Sequence, residues 1–139
     1  MQWSDSANGG FTTGTPWLPV PSSYKTHNVS TESGNPNSIL EFYRHLLALR
    51  HSNQAFIEGK YVPLNEDDPN VLCYLRQSAG QTVVVVLNMW SSARSGYLNL
   101  AGSGKTATTL LTTMQQAPKQ TALNDIQLDP FAVYIGSVQ

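Results

Sequence analysis

The sequence predicts a mainly β protein: an antiparallel Greek-key β-sandwich preceded by a long loop and one long helix. Three observations predict it. Ser38 to Arg50 is the only long stretch with helical periodicity. Beyond it, short β-branched and apolar runs recur, with turn residues every eight to twelve positions or so, the spacing of a sandwich. Before it, Met1 to Asn37 has neither period and is dense in Gly, Pro, Ser, Thr and Asn.

The opening stretch reads as loop, because Gly9-Gly10, Gly14, Pro16, Pro19 and Pro21 interrupt any regular element. It also carries Trp3, Phe11, Trp17 and Tyr24, more aromatic surface than a disordered tail carries, so it should pack on something. In the helix, Ile39, Phe42, Leu46 and Leu49 form one apolar row, and Leu40, Tyr43 and Leu47 a second beside it. Ser38 and Glu41 have the spacing of a capping box, with Asn35-Pro36 as an earlier alternative start. The strand readings are Phe56–Leu64, Val71–Arg76, Thr82–Asn88, Tyr97–Leu100, Thr106–Thr113, Ile126–Leu128 and Phe131–Ile135. Val83 to Leu87 is apolar on both faces, which places it inside the sheet.

Composition excludes several classes. Of 139 residues, 40% are apolar and 12% charged, where about a quarter charged is usual. That shortage fits either a charge-poor β protein or a surface covered by something else. A net charge of −1 gives no footprint for nucleic acid or an acidic membrane, and Val83–Leu87, the longest apolar run, is too short to span a bilayer. Met1–Asp5 has no leader pattern, which leans the expectation toward a cytoplasmic chain. The lone cysteine, Cys73, lies in an apolar run and reads as a buried inert thiol. Asn28-Val29-Ser30 fits a glycosylation acceptor, a triplet common by chance.

No complete active site is legible. Gly102-Ser103-Gly104-Lys105-Thr106 resembles the end of a phosphate loop, but a strand pattern follows where a helix is needed, so a turn fits better. His27, His45, His51 and Cys73 lack metal-ligand spacing, and no metal or cofactor is expected. Glu66-Asp67-Asp68 reads as a solvated turn rather than a catalytic pair. The aromatics Trp3, Phe11 and Trp17 suit either a sugar-stacking platform or burial against a neighbouring domain.

The residues Met1-Gln2-Trp3-Ser4-Asp5, Asn8-Gly9-Gly10-Phe11, Pro16-Trp17 and Ser23-Tyr24-Lys25 resemble the loop after the last barrel strand of glycoside hydrolase family 13, in its α-glucosidase and oligo-1,6-glucosidase branch. The usual pattern there is Met-Gln-Trp-Asp, then Asn-Ala-Gly-Phe; here Ser4 precedes Asp5 and Gly9 replaces the Ala. Pro36–Arg50 resembles the last barrel helix. Val84–Asn88 and Leu128-Asp129-Pro130-Phe131 with Val133-Tyr134 resemble the terminal sandwich domain. The resemblance implies a division into residues 1–54, a remnant of the catalytic barrel, and 55–139, the sandwich. It implies a parent that hydrolyses α-linked gluco-oligosaccharides with retention, with the barrel as missing partner and an oligosaccharide as substrate. Trehalose synthase and sucrose isomerase types share the motifs. The other readings are a stand-alone carbohydrate-binding or a structural module. No position matches the family's catalytic carboxylates, so the residues alone are expected to be inactive. Gln2, Trp3, Asp5, Asn8 and Phe11 are the expected rim of the parent's substrate pocket. The wide apolar stripe of the helix leads us to expect self-association of the isolated chain.

Overall fold

Eleven residues before the long helix, the chain already turns under side-chain control, at Asn28. The computed structural model describes residues 1–96 and 105–139, which fall into two units, Met1–Leu47 and Ala48–Gln139. The first unit corrects the expectation of unbroken loop up to Asn37. It contains two 3-10 turns, Ala7–Gly10 and Ser22–Lys25, and a one-turn helix α1, Val29–Glu32. Asn28 makes α1 possible. Its Oδ1 accepts the Thr31 N–H at 2.9 Å, and the Thr31 hydroxyl accepts the Asn28 N–H at 3.3 Å, a complete capping box. Asn28 Nδ2 donates to Tyr24 O at 2.8 Å. The amide read as a glycan acceptor is thus buried and engaged at both ends.

Helix α2 spans Ile39–Ser52. Ser38 Oγ accepts the Glu41 N–H at 3.2 Å, the forward half of the expected box. The return half does not form. The Glu41 carboxylate accepts the Gly34 N–H at 2.8 Å and pairs with Arg44, while Ser38 N–H donates to Asn35 O at 2.9 Å. The Gly34 N–H, and then Arg44, hold the Glu41 carboxyl below its ordinary range. Pro36 lies ahead of the helix rather than in its first turn. No residue of α2 is buried, and Ile39, Tyr43 and Leu47, spaced one turn apart, are 72%, 58% and 51% exposed.

In the second unit the run from Phe56 is not one strand. Asn53 Oδ1 accepts the Ala55 N–H at 3.1 Å and starts helix α3, Gln54–Glu58. Gly59 ends it: a Cβ there would lie 2.3 Å from Ala55 O. Strand β1 is therefore only Lys60–Leu64. Ala55 and Phe56 are buried, and Arg76 takes up the helix's terminal carbonyls, Nε donating to Ala55 O at 3.2 Å and Nη2 to Phe56 O at 3.3 Å.

The remaining strands are β2 (Val71–Ser78), β3 (Gln81–Asn88), β4 (Arg94–Gly96), β5 (Thr106–Thr112), β6 (Gln120–Ala122), β7 (Ile126–Leu128) and β8 (Val133–Val138). All pairs are antiparallel. One sheet has the order β1-β2-β3-β8-β5-β6; β4 and β7 form the other. The two enclose a core of Val71, Cys73, Leu75, Val84, Val86, Ala107, Leu123, Ile126, Leu128, Ala132 and Tyr134, the mainly β sandwich that the alternation predicts. As expected, β3 is interior, flanked by β2 and β8, with Val83 to Val86 all buried. In β8 the Tyr134 ring folds over Gly136, where a Cβ would meet Tyr134 OH at 2.7 Å and Ala107 Cβ at 2.8 Å. The expected strand at Tyr97–Leu100 and the residues Gly102–Gly104 of the glycine turn lie outside the described residues.

Candidate functional site

The aromatic loop is built on left-handed backbone. Asn8, Gly9 and Gly10 have φ of 57°, 66° and 72°. Asn and Gly are the residues that take this conformation at least cost. The turn lets Gly9 O accept two N–H groups, from Trp3 at 2.7 Å and Ser4 at 3.2 Å. Gly10 has no substitute, since a Cβ would sit 2.5 Å from Ser4 Oγ. Ser4 and Ser6 hydroxyls share a 2.7 Å hydrogen bond beneath it. Asn8 Nδ2 then donates to Thr12 O at 3.3 Å and Gly14 O at 3.0 Å, which fixes the path beyond Phe11. Gln2 O accepts from Val29 N at 3.0 Å and Trp3 O from Ser30 N at 2.9 Å, so the loop's first residues are tied to the start of α1.

This scaffold encloses three hollows. One, of about 370 Å³, is walled by Gln2, Phe11, Trp17 and the Pro19–Pro21 segment. A second, of about 480 Å³, lies among Asn8, Trp17, Val20 and Tyr24. The third, of about 540 Å³, runs from Gln2 past His27 and Glu32 to Ile39 and Tyr43. Gln2 and Phe11 thus meet in one hollow and Asn8 lines another. Trp3, half exposed, and Asp5, exposed, line none of the three. Trp17, 91% exposed, and Tyr24 belong to these walls; both lie in the family-like stretch of the sequence but are not among the expected rim residues. No local signal distinguishes a wall residue from a packing residue.

The carboxylates of this unit are mostly engaged with backbone N–H groups. Glu32 Oε2 accepts the Leu40 N–H at 3.2 Å, Glu41 is engaged with Gly34 and Arg44, and Asp5 stands alone in the loop. Among the described residues no two carboxylates face each other across a hollow of this unit. The arrangement can hold and orient a ligand through amide and aromatic faces. It has no nucleophile and acid paired for bond cleavage. The family's acidic position after Trp3 is occupied by Ser4, whose hydroxyl is spent on Ser6.

Known proteins match both parts. The alpha amylase catalytic domain profile matches residues 1–59, and the maltogenic amylase C-terminal domain profile matches residues 61–135. An oligo-1,6-glucosidase of Halalkalibacterium halodurans is 43% identical over 90 residues, covering 65% of this chain and 16% of its own length. A trehalose-6-phosphate hydrolase of Bacillus subtilis is 36% identical over 92 residues, 66% of this chain and 16% of its own. Among solved structures, a trehalulose synthase in complex with Tris superposes with a TM-score of 0.88 at 36% identity, covering 99% of this chain and 24% of that one. An isomaltulose synthase from Klebsiella sp. LX3 does so with a TM-score of 0.89 at 28% identity, again over 99% and 24%. The chain therefore spans about one-sixth of the curated relatives' length. It belongs to the α-amylase family of glycoside hydrolases, family 13.

Proposed function

We propose that these residues serve as the C-terminal part of a retaining α-glucosidase acting on α-linked gluco-oligosaccharides. In this reading residues 1–54 complete the catalytic barrel with its last loop and helix, and 55–139 form a structural sandwich. The barrel supplies the nucleophile and the acid/base carboxyl. The observation that carries the reading is the hydrogen-bonded Gln2–Phe11 turn, with aromatic walls and no paired carboxylate. Retaining hydrolysis needs two carboxyls about 5–5.5 Å apart. Of the nine acidic residues, only Asp5 lies in that loop. Gln2, Trp3, Asp5, Asn8 and Phe11 shape the pocket wall of the parent, with Trp17 and Tyr24 behind them. The test compares the 139 residues alone with the same residues joined to an intact family barrel, on p-nitrophenyl α-glucoside. The first should be inactive and the second active. Substituting Gln2 or Phe11 in the joined enzyme should shift preference among maltose, isomaltose and sucrose more than it lowers turnover. Turnover by the purified short chain, surviving a contamination control, would overturn this division of roles.

A second reading, a sugar isomerase, is favoured by the likeness to the trehalulose and isomaltulose synthases. It predicts that the joined enzyme turns sucrose into isomeric disaccharides rather than free glucose and fructose.

A further inference from the structure

We propose that the sandwich unit carries its own saccharide pocket, separate from the aromatic loop. Between β6, β7 and the turn after β7 lies a hollow of about 360 Å³ walled by Gln116, Gln120, Asp125, Gln127 and Asp129, with Met114 and Pro118 as its apolar side. Its volume falls at the lower end of the ~300–1,000 Å³ of small-molecule sites, room for a monosaccharide unit. Thr121 backs the hollow, buried, its hydroxyl without a hydrogen-bond partner among the described residues.

The chemistry of the wall selects the ligand. None of the lining residues is basic, so an anion finds no counter-charge. Among the described residues no three metal-ligating side chains converge, so Asp125 and Asp129 do not make a cation site. What remains are amide groups that both donate and accept, and carboxylates that accept, which is the complement of a hydroxyl-rich neutral molecule. Part of the wall is already ordered: Gln127 Nε2 donates to Asp125 Oδ1 at 2.7 Å, and Gln120 Nε2 to Gln139 Oε1 at 3.0 Å. This aims the Gln127 and Gln120 carbonyls and leaves Asp125 a second oxygen for ligand hydroxyls.

Two exposed aromatics lie on the segments next to Asp129. The turn that begins with Asp129 leads to Phe131, 65% exposed and held at a φ of 55°, where a bulky side chain is strained. Phe131 N–H donates to Trp90 O at 3.1 Å, and Trp90 is itself half exposed. The buried Asn88 fixes both segments, its Nδ2 donating to Asp129 O and Ser92 O at 2.9 Å each and its Oδ1 accepting from Trp90 N at 3.0 Å. The pocket takes one glucosyl unit of an α-gluco-oligosaccharide, and the aromatic faces support the next. The choice of an α-glucosyl ligand rests on the function proposed above. The pocket stands on its own geometry.

The experiment is a ¹⁵N NMR titration of the full 139-residue chain with maltotriose, with xylotriose as control. Saturable shifts are expected at the side-chain amides of Gln116, Gln120 and Gln127 and at the Trp90 indole. The double variant Asp125→Ala/Gln127→Ala, both exposed positions, should keep its thermal midpoint and bind maltotriose about tenfold more weakly. Trp3→Ala and Trp17→Ala should leave that binding unchanged. Shifts confined to the aromatic loop, equal binding of xylotriose, dimerisation in place of binding, or no saturable shift from a folded chain would each overturn the proposal. Turnover by the barrel-joined enzyme tests the parent function separately, so the two can fail independently.

Discussion

Asn88 ties the connection after β3 to the turn at Asp129. Its two donors and one acceptor serve residues as far away as Asp129, so its role is tertiary and no pattern around it announces it. Asn88→Ala removes these three hydrogen bonds; Asp129 O keeps the Ala132 N–H and the other two groups belong to exposed residues, so the cost should be about 1–3 kcal/mol, read from urea unfolding. Cys73 is the opposite case, legible because an inert thiol was the simplest reading of a cysteine in an apolar run. It is 1% exposed, and burial pushes its thiol from 9.0 up to about 12. The folded state therefore holds this proton more tightly than the unfolded chain. The contribution to stability is complete below about pH 9 and is lost as pH rises toward 12, at up to ~1.4 kcal/mol per pH unit. Iodoacetamide at pH 8 should leave Cys73 unmodified until urea unfolds the chain, and labelling of the native protein would contradict its burial. Asn28 shows where reading residues singly misleads. Asn-x-Ser suggested a modification acceptor, yet Asn28 with Thr31 is equally a helix cap, and burial decided between the two.

Among elements, the long helix and the central strand were the most legible, because each repeats one period over many residues. Helix α3 was missed because five residues give no period, and Phe56-Ile57 reads equally well as strand. The signal lay at its ends, in the Asn53 cap and the Gly59 stop. β3 has four successive buried valines, and its neighbours β2 and β8 pair on both edges. Val85→Asp should unfold the sheet, since an unpaired buried charge costs several kcal/mol; loss of the cooperative thermal transition by circular dichroism checks this. Helix α2 half-buries Leu40, Phe42, Leu46 and Leu49, while Ile39, Tyr43 and Leu47 line one exposed stripe. The chain alone should self-associate through such surface, and light scattering should show a mass that rises with concentration. Tyr43→Glu with Leu47→Glu should restore a monomer. A strict monomer before substitution would refute this use of the stripe.

For the whole molecule, fold class followed from strand spacing and alternation, whereas the walls of both candidate sites did not. Hollows are made by residues far apart in sequence, as with Gln2 and Pro21 or Gln116 and Asp129. The family motif names a loop that is continuous in sequence, and of its expected rim residues Gln2 and Phe11 line the first hollow. The second draws on β6, β7 and three connections, and nothing in the sequence gathers these. The order of the large sheet carries a consequence for synthesis. β8, last in the chain, lies between β3 and β5, and those two strands have no edge in common. Before β8 emerges, β1-β2-β3 can form a meander, while β5 and β6 can pair only with each other. The sheet closes only when Val133–Val138 has left the exit tunnel, so the edges of β3 and β5 stay open until then. A stop codon at the final strand should therefore be as damaging to the nascent sandwich as one placed far upstream.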